Sequence, residues 1–151
     1  MNRIIAVGKK HEDWVSSGIF RYEKRLKPPF NVEWVLIPHS SQEALQARQN
    51  ESGAVLSRLR QDEYVVLLDE TGTSLPSPKF SDVLSSTYVN GKRVVFIIGG
   101  AYGVSDKLKA RADYTLSLSA LVFPHQLVRL ILIEQLYRAQ EIANGSPYHH
   151  V

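Results

Sequence analysis

The sequence predicts an α/β fold: one domain, residues 1–151, with a mostly parallel sheet flanked by helices. Short aliphatic runs alternate with longer segments of helical spacing, in the order β-α repeated from start to end. The third and fourth aliphatic runs are apolar at nearly every position, as strands covered on both faces should be. The length of 151 residues, with 44% hydrophobic and 22% charged, supplies one core and not two.

Each element has its own signature. Ile4 to Val7 are aliphatic and end at Gly8, which predicts a first strand. Asp13 is placed to cap a helix in which Val15, Ile19, Tyr22 and Leu26 recur at helical spacing, and Pro28-Pro29 ends it. Val32 to Ile37 form the second strand. Residues 41–61 form a polar helix with Leu45, Val55, Leu56 and Leu59 inward. Tyr64 to Leu68 are the third strand, and Asp69 to Pro78, rich in Gly, Ser, Thr and Pro, read as a loop. Pro78 suits a first helical turn, with Phe80, Val83, Leu84 and Tyr88 on the inner face. After the Asn90-Gly91 turn, Arg93 to Ile98 form the fourth strand. Gly99 to Gly103 turn the chain into a short helix over Ser105 to Ala112. Tyr114 to Leu118 form a fifth strand, and a loop through Pro124 leads into a helix from His125 to about Ala143. Gly145, Ser146 and Pro147 stop it, leaving a short tail.

That last helix carries Leu127, Val128, Leu130, Ile131, Leu132 and Ile133, apolar nearly all round. Such a helix is buried on every side. Either it is a central core helix, or its outer face meets a second copy in an isologous dimer.

Composition removes several classes. No cysteine is present, which excludes disulfides, a thiol nucleophile and Cys-zinc sites, and fits a cytosolic protein. No apolar run approaches the ~18 residues of a membrane span. The five histidines show no metal-binding spacing, so no metal is expected, and no nucleophile elbow is present. The net charge of +3 is compatible with nucleic acid without requiring it. Residues 1–30 hold seven cations against three anions. Arg21, Lys24 and Arg25 share a helical face, either a solvated surface or a ridge that contacts RNA phosphates.

Ligands of open α/β sheets bind beyond the carboxyl ends of the strands. That singles out the segments after Leu68, Ile98 and Leu118. Gly99-Gly100-Ala101-Tyr102-Gly103 matches neither the dinucleotide fingerprint nor a phosphate loop. Leu118 to Pro124 is uncharged and apolar for a loop, and serves either as core packing or as a slot for a flat ring. Asp69-Glu70 reads as a solvated loop entry rather than a paired acid site.

Six motifs then occur in order: Leu67-Leu68-Asp69; Ile97-Ile98-Gly99-Gly100-Ala101-Tyr102-Gly103; Leu116-Ser117-Leu118-Ser119; Pro124-His125-Gln126-Leu127-Val128-Arg129; Glu134-Gln135-Leu136-Tyr137-Arg138-Ala139; and Pro147-Tyr148-His149. Together they resemble the RlmH family over essentially the whole chain. The resemblance implies a SPOUT-type fold with a C-terminal trefoil knot, and a homodimer built around the last helix. It implies S-adenosyl-L-methionine as cofactor, bound by Leu68, Gly99, Leu118, Ser119, Ala120, Leu121, Val122 and Phe123. It implies methyl transfer to N3 of a pseudouridine in a stem-loop of large-subunit (23S) ribosomal RNA. A chain of 151 residues offers little surface for reading RNA sequence, so the expected substrate is the assembled ribosome, in the cytoplasm. His149 is then the first candidate for the catalytic group, with Arg138 and Tyr148 beside it. The chain departs from many relatives at His150, where they carry arginine, and at Ala101 and Gln126, where proline is common. Three alternatives stand beside this reading: a SPOUT enzyme for transfer RNA, a catalytically silent RNA-binding protein of the same fold, and a knot-free, monomeric flavodoxin-like domain.

Overall fold

The computed structural model describes residues 1–150. Its elements are β1 (Asn2–Val7), α1 (Asp13–Glu23), β2 (Val32–Ile37), α2 (Ala44–Leu56), β3 (Tyr64–Thr73), α3 (Ser77–Val89), β4 (Val94–Ile98), α4 (Asp106–Arg111), β5 (Tyr114–Leu116) and α5 (His125–Ala143). The five strands form one parallel sheet in the order β2-β1-β4-β3-β5. The predicted alternation and the parallel sheet are both present.

Side chains of successive strand residues point to opposite faces. On β4, Val94, Phe96 and Ile98 enter one core with Val15 and Ile19 of α1, Phe80 and Leu84 of α3, and Leu132, Ile133 and Leu136 of α5. Val95 and Ile97 enter the other, with Val55 of α2 and Leu108 of α4. Helices therefore cover both faces, which is why β4, the middle strand, has no polar position. On the first face α5 lies between α1 and α3.

Four local expectations are corrected. Asp69–Thr73 belongs to β3 rather than to a loop: the strand arches away after Leu68 and returns at Thr73 to pair with Leu116 of β5. Its polar composition reflects an exposed strand end that runs beyond the last residue paired to β4, Leu67. Gly72 is required there, because a β carbon would collide with the Thr115 carbonyl. Correspondingly β5 ends at Leu116, and the Ser117 N–H closes on the Thr73 carbonyl at 3.0 Å. Asp13 is the first residue of α1 and not its cap; Glu12 occupies that position without capping, its carboxylate taken by the Trp14 indole. Leu45 is exposed, and the buried face of α2 is Ala47, Glu51, Ser52 and Val55.

The apolar circumference of α5 is only partly covered by its own chain. Leu132, Ile133, Leu136 and Ala139 are fully buried, whereas Leu127, Leu130 and Ile131 are half-buried. Among the described residues, no helix is long and apolar enough to cross a membrane.

Candidate active site

Three strand ends meet at one pocket. Leu68 and Asp69 from β3, Gly99 after β4, and Leu118 after β5 line it, with His125 and Val128 from the start of α5. Of the residues predicted to hold a cofactor, Leu68, Gly99, Leu118, Ser119, Leu121, Val122 and Phe123 all line this pocket, and Ala120 does not. The loop is tied by its own hydroxyls: Ser117 donates to the Ser119 carbonyl at 2.9 Å, and the Ser119 hydroxyl accepts the Leu121 N–H at 3.0 Å. Leu121 and Val122 nevertheless stand 71% and 77% exposed, unusual for large apolar side chains at a pocket rim.

The pocket is polar at one end. Asp69 turns back to the Thr71 N–H at 2.8 Å, and Glu70 is exposed. The first turn of α5 faces the pocket through His125 and Val128, and its N-cap residue Pro124 supplies no side-chain cap. The first N–H groups of a helix lack partners within the helix and carry partial positive charge. His125 is held below the ordinary histidine range, first by burial; Arg129 and His39 add to this, while the Gly99 backbone and Glu70 oppose it.

The glycine turn is gripped by α2. Arg48 donates to the Tyr102 carbonyl at 2.8 Å, and the Ser105 N–H donates to Ser52 Oγ at 2.8 Å. Glu51 lies beneath: one carboxylate oxygen accepts the Ser40 N–H at 2.9 Å, and the other has no partner among the described residues. A β carbon at Gly100 would strike that free oxygen, so the turn approaches this closely only with glycine. These contacts explain why α2 has a polar inner face.

A second cluster sits farther along α5. Arg138 pairs with Glu134 at 2.9 Å and approaches Nδ1 of His149 at 3.1 Å through Nη1. Tyr148 donates to Glu134 at 3.1 Å, lies under the Arg138 guanidinium at 4.9 Å, and packs edge-on against Tyr137. Burial, followed by the nearby Glu134 carboxylate, pushes the Tyr148 phenol up to about 12. The three predicted catalytic residues are thus brought together, with Glu134 as the centre that was not predicted. They are not brought to the pocket. Arg138 lies thirteen residues beyond His125 on one helix, about 20 Å along its axis at ~1.5 Å per residue.

Sequence reasoning also missed Arg129. It is fully buried, and its guanidinium donates to the carbonyls of Val7, Gly8 and Lys10 at 3.0–3.1 Å, with His11 Nδ1 at 3.1 Å. It faces no carboxylate at ion-pair distance among the described residues. A single cation inside the run Leu127–Ile133 was the available signal. Among the described residues no group of three or more His, Asp or Glu is arranged to hold a metal.

Comparison with known proteins gives concordant results. A family model described as "Predicted SPOUT methyltransferase" matches residues 1–149. The chain is 46% identical over 147 residues to a protein of Synechococcus sp. (strain CC9311), covering 97% of this chain and 94% of that one. It is 42% identical over 154 residues to one from Acetivibrio thermocellus, covering 97% of each. It is 41% identical over 150 residues to one from Geotalea daltonii, covering 98% of each. All three are named ribosomal RNA large subunit methyltransferase H.

Proposed function

The chain belongs to the SPOUT methyltransferase family, and from that premise we propose that it methylates N3 of a pseudouridine in large-subunit ribosomal RNA. It uses S-adenosyl-L-methionine and works as a homodimer on the cytoplasmic ribosome, with the C-terminal knot of its family. Near-full-length identity of 41–46% to three proteins named for large-subunit RNA methylation supports the substrate class.

The residues of the strand-end pocket fit this cofactor. Leu68, Leu118 and Val122 offer apolar walls to a flat adenine. Asp69 and Glu70 place negative charge where a sulfonium can lie, and the uncapped start of α5 suits a carboxylate. When bound, the cofactor supplies an already activated methyl group, so neither a metal nor a protein nucleophile is needed.

The observation that carries the dimeric reading is the separation of the two clusters along α5, with half-buried Leu127, Leu130 and Ile131 between them. Two copies pairing this stripe in antiparallel fashion bring the tail cluster of one to the pocket of the other. Neither half is a complete site alone. Leu121 and Val122, exposed at the rim, add to the apolar surface that a partner covers.

Within such a site the target ring gives up its N3 proton to solvent water as the methyl group arrives, and the nitrogen lone pair left behind forms the new N–C bond while the sulfonium–methyl bond breaks. The Arg138 guanidinium has donors and no acceptor, so in its contact with His149 the ring's Nδ1 accepts and the ring proton resides on Nε2. Held this way, His149 presents an N–H rather than a lone pair. Together with Arg138 it stabilises negative charge that develops on the ring. Tyr148, kept protonated, orients Glu134 and the guanidinium.

The test is radiolabel transfer from S-adenosylmethionine to ribosomes lacking the methyl group, run in parallel on ribosomes also lacking the pseudouridine. Label that depends on the pseudouridine establishes both reaction and base. Equal labelling of both moves the target elsewhere on the RNA, and labelling of transfer RNA alone overturns the ribosomal substrate.

A further inference from the structure

The pocket has few polar side chains, and most are already engaged. Asp69 is drawn to Thr71, and the Ser119 hydroxyl accepts the Leu121 N–H. Glu70 is exposed at the rim. His125 is different: it lies half-buried in the wall, on the first turn of a nineteen-residue helix, and faces both the Gly99 backbone and the cavity. We infer that His125 holds the cofactor directly, through a ring nitrogen that accepts a hydrogen bond from a hydroxyl or amino group of the adenosyl moiety. This rests on the cofactor reading above, and it adds to that reading a residue outside the segment Leu118–Phe123.

The surroundings say which form of the ring does this. Around it stand Arg129 on its own helix, His39 beyond β2, and Glu70 and Asp69 beyond Leu68 on β3. Arg129 is buried one turn along α5, and its positive charge is fixed there by four hydrogen-bonded contacts to the β1 end. Burial first, then this cation and His39, disfavour a second proton on the His125 ring against the pull of Glu70. A neutral imidazole has one donor and one acceptor nitrogen. Beside Gly99 in the pocket wall, the unprotonated nitrogen keeps a lone pair that the ligand can use. A protonated ring has no acceptor and adds a positive charge beside a cationic sulfonium, so protonation and ligand binding oppose each other.

The experiment is calorimetric titration with S-adenosylhomocysteine, which shares the adenosyl donors, between pH 7.5 and pH 5. Affinity for the unmutated protein is expected to be level near pH 7.5 and then to fall by about tenfold in all as pH drops through the ring's midpoint, because the protonated ring has lost its acceptor. His125→Phe, which keeps a flat ring and has no acceptor nitrogen, should bind about tenfold more weakly at pH 7.5 and lose that acid slope. In the unmutated protein, saturating ligand should also lower the His125 midpoint followed by its imidazole proton resonances, a reading that needs no variant to fold. A His125→Phe variant that binds as tightly as the parent, or a midpoint unmoved by ligand, overturns the inference and leaves the cofactor reading intact. Failure of the unmutated protein to bind the nucleoside at any pH overturns both.

Discussion

Arg138 Nη1 stands 3.1 Å from Nδ1 of His149, fastening the tail of the chain to the last turns of α5. A guanidinium only donates, so the pairing sets the tautomer of the histidine. It also fixes the face of the ring that a substrate can meet.

Because His149 stabilises the charge that develops on the target ring and fixes the pose of the RNA, His149→Ala should lower turnover by about 10²-fold. Affinity for S-adenosylhomocysteine should be unchanged. Radiolabel kinetics and calorimetry on the same preparation check this. An equal loss in both would make the tail a lid over the cofactor.

Ile131→Glu should break the dimer, because it places a charge in the middle of the half-buried stripe. Light scattering should then report a monomer with a native circular dichroism spectrum and activity reduced more than about tenfold. Mixing a His149→Ala chain with a pocket-blocked Gly99→Val chain should restore part of the activity, since one of the two composite sites in the heterodimer is intact. A fully active monomer would end the composite-site reading.

Arg129→Met should destabilise the fold by about 2–4 kcal/mol in urea denaturation, because it strands buried carbonyls at the end of β1. Lysine should not rescue it, as one ammonium cannot span three carbonyls and a ring nitrogen. A loss below about 0.5 kcal/mol would show that water replaces the guanidinium there.

Gly72→Ala should cost about 2–4 kcal/mol, because the added carbon meets backbone rather than a side chain that can move. The return of β3 to β5 at Thr73 is the contact at risk, and amide exchange at Ser117, which donates to Thr73, should rise. Unchanged protection at Ser117 would contradict that account.

Stability should fall on acidification through the histidine range. His11 and His125 are both depressed by burial first and by Arg129 in addition, so the unfolded chain binds protons that the folded chain resists. Their contribution is present above the ordinary histidine value of about 6.5 and is lost as pH falls through the depressed folded values. Urea midpoints measured from pH 7.5 to 5 should show the decline, and a double His11→Asn, His125→Asn variant should flatten it.

The order of elements, the parallel sheet and the bounds of α5 were legible in the sequence, because each rests on a local pattern. Aliphatic runs fill both faces of a covered strand, and helical spacing repeats within a few residues. The convergence of the segments after Leu68, Ile98 and Leu118 was legible for the same reason: parallel strands put their carboxyl ends on one side.

What the sequence could not give is whatever depends on partners distant along the chain. The Asp69–Thr73 segment is a strand only because Leu116 lies beside it, and α2 turns Glu51 inward only because the glycine turn packs against it. Arg129 is buried only because β1 ends at its guanidinium with carbonyls that need donors. The Arg138, Tyr148 and His149 cluster was foreseen from family likeness, yet its distance from the pocket was not. Side-chain type and spacing encode which faces an element buries, whereas the folded chain alone determines which buried groups meet and how far apart two sites on one helix must stand.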